Sequence, residues 1–244
     1  MNTSKYIKTL IVIPARLQSS RLPNKPLLFH GKKTLLEITY NQAKKTKVDT
    51  VVVATDDQEI IDYCTDKNIN CVSTPDCPNG TSRCFHVYSR FIKKEYKRII
   101  NWQVDEPLVS SVMVDTLIES ISPYDHSVYT LVAPITTKEQ MHDHNMVKVV
   151  VSDVKNKHSI ISKKKCFWFT RSPIKGLGHC GIYGFSGFSL WNAFSAKQTT
   201  AAEEESLEQL SWIEAGITVN AITMDSLPLS INVPEDWTQF CNEN

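Results

Sequence analysis

Residues 51–55, VVVAT, form a continuous β-branched run with no alternation of apolar and polar positions. Such a strand has no face to give to water, so it belongs inside a parallel sheet covered on both sides. Residues 10–13, LIVI, are a second run of this kind, closed by Pro14. Elsewhere in the first half the spacing turns helical. In 34–46, TLLEITYNQAKKT, Leu35, Leu36, Ile38, Thr39 and Ala43 share a face, and Thr34 with Glu37 spells a capping box. Residues 57–67 repeat helical spacing through Ile60, Ile61 and Cys64. Then 69–74 read as a short strand, 82–97 as a helix and 98–104, RIINWQV, as a strand. This order predicts an α/β fold, an open, mostly parallel, Rossmann-like sheet with right-handed crossovers.

The second half is richer in strands. Residues 127–135, 146–153, 163–174 (with an aromatic core), 181–185 and 217–224 read as strands. Residues 203–215 read as one amphipathic helix with an acidic first turn, and Pro234 opens a last helix. We expect one domain over 1–244, with an antiparallel insertion at about 125–200 flanking the parallel sheet. With 27 Lys+Arg against 26 Asp+Glu the net charge is +1, which gives no global case for nucleic acid or an anionic membrane surface. No apolar run approaches the ~20 residues of a membrane span. The first residues, MNTSKYIK, lack the apolar stretch of a secretory signal, and seven cysteines without CxxC spacing read as reduced thiols; both predict a cytoplasmic protein.

In open sheets of this kind ligands bind beyond the carboxyl ends of the strands, and the informative segments lie there. The loop after the first strand, ARLQSSRLPNK, carries Arg16, Arg21 and Lys25. Spacing alone does not separate a solvated basic loop from a polyanion clamp. NGTSR at 79–83 puts Gly80, Thr81 and Arg83 at a helix start, where free N–H groups suit an anion, although a turn with an N-cap would look the same. Gln103-Val104-Asp105-Glu106-Pro107 places carboxylates past a strand end, as a divalent cation bridging phosphates needs or as a turn before proline would have. Arg171, His179 and Tyr183 suit an anionic co-substrate; an arginine pairing a structural carboxylate and a satisfied core histidine are the plainer alternatives. HGKKT at 30–34 lacks a phosphate loop's first glycine and GK[ST] ending, while HDH at 142–144 and KKK at 163–165 read as solvated.

Taken in order, IPAR-x4-RLPNKPL, VVVATDD, NGTSR, WQVDEP, HNMVKVV, FTRSPI, H-x-GIYGF, ESLEQL and VPEDW resemble the 3-deoxy-manno-octulosonate cytidylyltransferases over about residues 10–240. The resemblance implies a nucleotidyltransferase fold with an inserted dimerisation region. It implies transfer of CMP from CTP to a 3-deoxy-2-ulosonic sugar acid (Kdo), with release of pyrophosphate, in a homodimer that supplies outer-membrane glycolipid or capsule synthesis. Another acidic sugar such as a nonulosonic acid, or nucleotide binding without turnover, stands as the alternative. Carried across, Arg16, Arg21, Lys25 and Asp105 are the catalytic set. The three cations with Gly80, Thr81, Arg83 and Gln103 would bind CTP, and Arg171, His179, Tyr183, Glu208 and Gln209 the sugar acid. Asp105 and Asn232 would hold Mg²⁺, with Mn²⁺ as the other candidate ion. This chain departs from the family pattern at Ser82 (for Asp), Ser211 (for Arg) and Asn232 (for the second metal-binding Asp). The last exchange predicts weaker metal binding, a shifted metal preference, a different acceptor or lost activity.

Overall fold

The two β-branched runs lie side by side. In the computed structural model, which describes residues 7–91, 96–152 and 163–243, the run at 10–13 falls in strand β1 (Lys8–Pro14) and is completely buried. The last residue of the strand expected at 146–153 and residues 92–95 of the helix expected at 82–97 lie outside the described residues. After β1 come a short hairpin, β2 (Phe29–His30) and β3 (Lys33–Thr34), then α1 (Leu35–Ala43), β4 (Thr50–Thr55), α2 (Gln58–Asp66), β5 (Cys71–Ser73), α3 (Gly80–Phe91) and β6 (Tyr96–Trp102). The chain continues through α4 (Ser111–Ser120), β7 (Val128–Pro134), α5 (Lys138–His142), β8 (Lys148–Val151), β9 (Lys163–Thr170), β10 (Leu177–Ser186), α6 (Gly187–Ser195), α7 (Thr200–Glu205), α8 (Glu208–Glu214), β11 (Val219–Thr223) and α9 (Pro234–Glu243).

Among the described residues nine strands form one sheet in the order β5-β4-β1-β6-β10-β7-β11-β9-β8. β5, β4, β1 and β6 run parallel, as the first half predicts. The antiparallel strands are woven into this sheet: β10 sits at its centre between β6 and β7 and opposes both. Both faces are covered. Ile11, Ile13 and Val53 pack with residues of α1, α2 and α4, while Leu10, Val12 and Val52 pack with residues of α3, α6 and α8. A smaller cluster joins Leu22 of the basic loop to Leu35, Ile231 and Phe240, so that α9 and the segment before it fold back onto that loop.

Several local expectations need correction. Thr34 does cap α1, its Oγ1 accepting from the Glu37 amide at 3.2 Å, but the Glu37 carboxylate accepts the Tyr63 hydroxyl at 2.9 Å and closes no reciprocal box. Residues 96 and 97 belong to β6, not to the preceding helix. The single helix expected over 203–215 is two, because Ser206 takes a left-handed conformation (φ 54°) that ends α7 and starts a new axis. The aromatic strand at 163–174 buries only Cys166, Phe169 and Thr170. Val150 pairs with Trp168 and Val151 with Cys166, so Phe167 is the extra residue of a bulge and both it and Trp168 face outward. HGKKT is the β2–β3 hairpin, turning at Gly31 (φ +59°). His142 Nδ1 lies 2.8 Å from the Lys138 carbonyl at the end of α5, an exposed helix-end contact. Helices α4, α5 and α6 have no counterpart in the expectations.

Candidate functional site

The loop after β1 is fixed from below by the TDD segment that follows β4. The Leu17 amide donates to Asp57 Oδ2 at 2.8 Å, and Asp56 pairs with Arg83 at 2.6 Å. Above that support a cavity of about 1190 Å³ opens at the carboxyl ends of β1 and β6. It brings Arg16, Arg21, Gly80, Gln103, Asp105, Arg171, His179, Tyr183, Glu208, Gln209 and Asn232 onto one wall system. Lys25, Thr81 and Arg83 do not line it. Lys25 Nζ donates to Asp105 Oδ2 at 2.7 Å and to the Ile231 carbonyl at 3.2 Å, directly behind the lining carboxylate. Thr81 is buried and donates to Glu208 Oε1 at 3.0 Å. Arg83 is buried against Asp56 and Thr74, so its charge is neutralised beneath the floor.

Two arginines converge here, and among the described residues no carboxylate forms an ion pair with either guanidinium. Arg21 donates to Asn145 Oδ1 at 2.8 Å and Asn232 Oδ1 at 3.4 Å. The Arg171 guanidinium donates to the carbonyls of His144 (3.1 Å), Asn145 (3.2 Å) and Glu205 (3.2 Å). Burial and the nearby Arg21 charge hold the Arg171 pKa down. Like charges kept this close by neutral acceptors form a site for an anion.

β10 supplies the opposite wall. Its pairing with β7 slips between Cys180 and Tyr183, and Thr130 of β7 fills the gap, its hydroxyl donating to the Ile182 carbonyl at 2.8 Å. That hydrogen being used, Thr130 can only accept from His179 Nε2 at 2.9 Å, which fixes the histidine as the Nε2–H tautomer. His179 packs between the rings of Phe169 and Tyr183. Burial, helped by Arg171, lowers its pKa to about 3, so it is a neutral lining group. Two carboxyls move the other way. Glu208 is pushed to about 7 by burial, and Glu106 to about 7 by burial and the adjacent Asp105. One oxygen of each, Oε2, is buried without a hydrogen-bond partner.

Four contributors escaped the sequence reading. Lys148, fully buried, donates to the carbonyls of Asp143 and Arg171 and so carries the Arg171 backbone. Its signal was a lysine inside the apolar run MVKVVV. Glu205 accepts from Thr170 Oγ1 (2.6 Å) and the Arg171 amide (2.8 Å). Asn145 lies in HNMVKVV, a segment of the resemblance to which no site role was given, and Ser230 in an irregular segment that carries no pattern.

A divalent cation would find hard oxygen donors here in the Asp105 carboxylate, with the unpartnered Glu106 Oε2 on the next residue. One acidic ligand completed by phosphate oxygens is a usual magnesium arrangement, so the donor set fits. Among the described residues no group of three or more His, Cys, Asp or Glu forms a self-sufficient metal cage.

Cations after β1, a carboxylate after β6 and an anion pocket beside them, on a sheet wound in this way, define a nucleotidyltransferase. Residues 10–222 match the family model of the cytidylyltransferases. The 3-deoxy-manno-octulosonate cytidylyltransferase of Chlamydia pneumoniae is 35% identical over 237 residues, covering 92% of this chain and 89% of that protein. That of Thermodesulfovibrio yellowstonii is 33% identical, with 93% and 94% covered. A solved structure of CMP:2-keto-3-deoxy-manno-octonic acid synthetase complexed with CTP superposes with a TM-score of 0.82 at 30% identity, over 96% of this chain and 97% of that one. The chain belongs to the cytidylyltransferase family.

Proposed function

We propose that this protein transfers CMP from CTP to a 3-deoxy-2-ulosonic acid, Kdo or a close analogue, and releases pyrophosphate. The observation that carries the reading is the cavity joining Arg16, Arg21 and Asp105 to the Arg171, His179 and Tyr183 wall, in a chain so similar to enzymes of that name. Arg16 and Arg21 bind the triphosphate, with Lys25 holding Asp105 in place. Gly80 and Gln103 border the base. Thr81 and Arg83 support the pocket from beneath, Thr81 through Glu208 and Arg83 through Asp56. Arg171 takes the sugar carboxylate, for which a guanidinium offers a bidentate fit. Neutral His179 with Tyr183, Glu208 and Gln209 receives the sugar hydroxyls.

The anomeric hydroxyl attacks the α-phosphorus in line. The bond to the bridging oxygen of pyrophosphate breaks, and the hydroxyl proton leaves to solvent or a buried carboxylate. The chain forms no covalent intermediate; it aligns the reactants and offsets the charge that grows on the leaving group. A divalent cation at Asp105, Mg²⁺ or Mn²⁺, would add Lewis-acid neutralisation of phosphate oxygens. The protein works as a cytoplasmic homodimer through its 125–200 region, where Val150, Phe167 and Trp168 leave apolar surface exposed.

The test is pyrophosphate release from CTP with Mg²⁺ or Mn²⁺ and a panel of 2-keto sugar acids. Turnover with Kdo is the expected result. Turnover only with a nonulosonic acid moves the acceptor, and silence with every acid beside measurable CTP binding identifies a nucleotide-binding paralogue, the reading that Asn232 favours.

A further inference from the structure

Asn232 occupies a position expected to hold a cation, yet both ends of its side chain are engaged. Its Nδ2 donates to Ser230 Oγ at 3.2 Å and its Oδ1 accepts from Arg21 Nη2 at 3.4 Å. Ser230 has one hydroxyl hydrogen. Glu106 Oε1, at 3.1 Å and already an acceptor for the Gly181 amide, takes it in preference to the more distant Asp105 carbonyl at 3.4 Å. Only lone pairs of Ser230 then face Asn232, so the amide must turn its NH₂ to Ser230 and its carbonyl to Arg21. Glu106 is itself anchored, 4% exposed, by the Gly181 amide of β10 at 2.8 Å. The backbone of the same segment is fastened to the DEP turn by the Ile231 amide on the Asp105 carbonyl at 2.9 Å.

The consequence falls on Arg21. Its two outer nitrogens rest on two neutral carbonyls, those of Asn145 and Asn232, and among the described residues no carboxylate pairs with it. Neutral acceptors orient a guanidinium without cancelling its charge. A neutral carbonyl turned onto a guanidinium has no charge of its own to offset that cation's repulsion of a metal ion, unlike the Asp105 carboxylate beside Lys25.

We infer that Glu106, Ser230 and Asn232 form a positioning relay that aims the Arg21 guanidinium, uncompensated by a carboxylate, toward the triphosphate, and that Asn232 is not a cation ligand in this chain. The inference rests on the CTP reading above. The native chain and the Ser230→Ala, Ser230→Thr, Asn232→Ala and Arg21→Ala variants are titrated with CTP calorimetrically, once in EDTA and once in saturating Mn²⁺. Ser230→Ala and Asn232→Ala should weaken CTP binding about three- to tenfold, the size of one lost hydrogen bond, and equally in both conditions. Ser230→Thr, which keeps the hydroxyl, should restore native affinity to within about twofold, and Ser230→Ala should cost nothing further in the Arg21→Ala background. A loss confined to Mn²⁺, or losses that add to that of Arg21→Ala, would overturn the relay. A native chain that binds CTP only with Mn²⁺ also overturns it while leaving the cytidylyltransferase reading intact. A native chain that binds no CTP in either condition removes both.

Discussion

His179 shows how one side chain's surroundings set its role. An imidazole with a pKa near 6.5 is an obvious candidate for acid–base work near neutral pH. Between Phe169 and Tyr183, with Arg171 close by, it is held to about 3 and stays neutral. The unfolded chain therefore takes up a proton on this imidazole below about pH 6.5 that the folded chain refuses, and the contribution of His179 to stability falls as the pH drops from there toward 3. Glu106 and Glu208, raised to about 7, pull the other way over much of this range, so the His179 share is read as the difference between the native chain and His179→Gln in urea unfolding at stepped pH, a difference that should widen as the pH falls below about 6.5. An unchanged slope in the variant would place the titration elsewhere. The sequence put His179 forward as a candidate, but its charge depends on residues that approach it only through the sheet.

At the scale of elements, the start of α3 presses against the end of β6. A Cβ added at Gly80 would come 2.7 Å from Gln103 Nε2 and 3.1 Å from Asn101 Nδ2. Both are side-chain ends, so the substitution displaces a lining group while leaving the sheet in place. Gly80→Ala should weaken CTP binding about tenfold with little change in the thermal midpoint; a normal affinity would show that Gln103 has room to move aside. Elements whose periodicity was clean, such as α1 and α2, were legible because each buries one face. The break at Ser206 was not, since the run EEESLEQL carries continuous helical spacing and no glycine or proline marks the turn. Nor was the bulge at Phe167, because an aromatic run reads as core until its register with β8 is known.

For the whole molecule, the β8–β9 end of the sheet keeps Val150, Phe167 and Trp168 exposed at 38%, 50% and 39%, more apolar surface than a sheet edge in water should carry. If that face is the dimer contact proposed above, the native protein sediments as a dimer and Trp168→Glu as a monomer with its fold retained. A variant that remained dimeric would move the contact to another surface.

The parallel half of the sheet was legible in the order of residues, because β-branched runs without a polar face have nowhere to go but a doubly covered layer. The loop cations and the carboxylate past β6 were legible for a related reason: in a parallel sheet the segments leaving the strand ends all emerge on one edge. Which charges remain available was settled by tertiary packing. Arg83, predicted to touch ligand, is neutralised by Asp56 below the floor; Arg21, with asparagines as its partners, keeps its charge. Spacing along a chain shows that a charge exists, but its availability depends on the partner that folding brings beside it, here from residues 124 and 211 positions away.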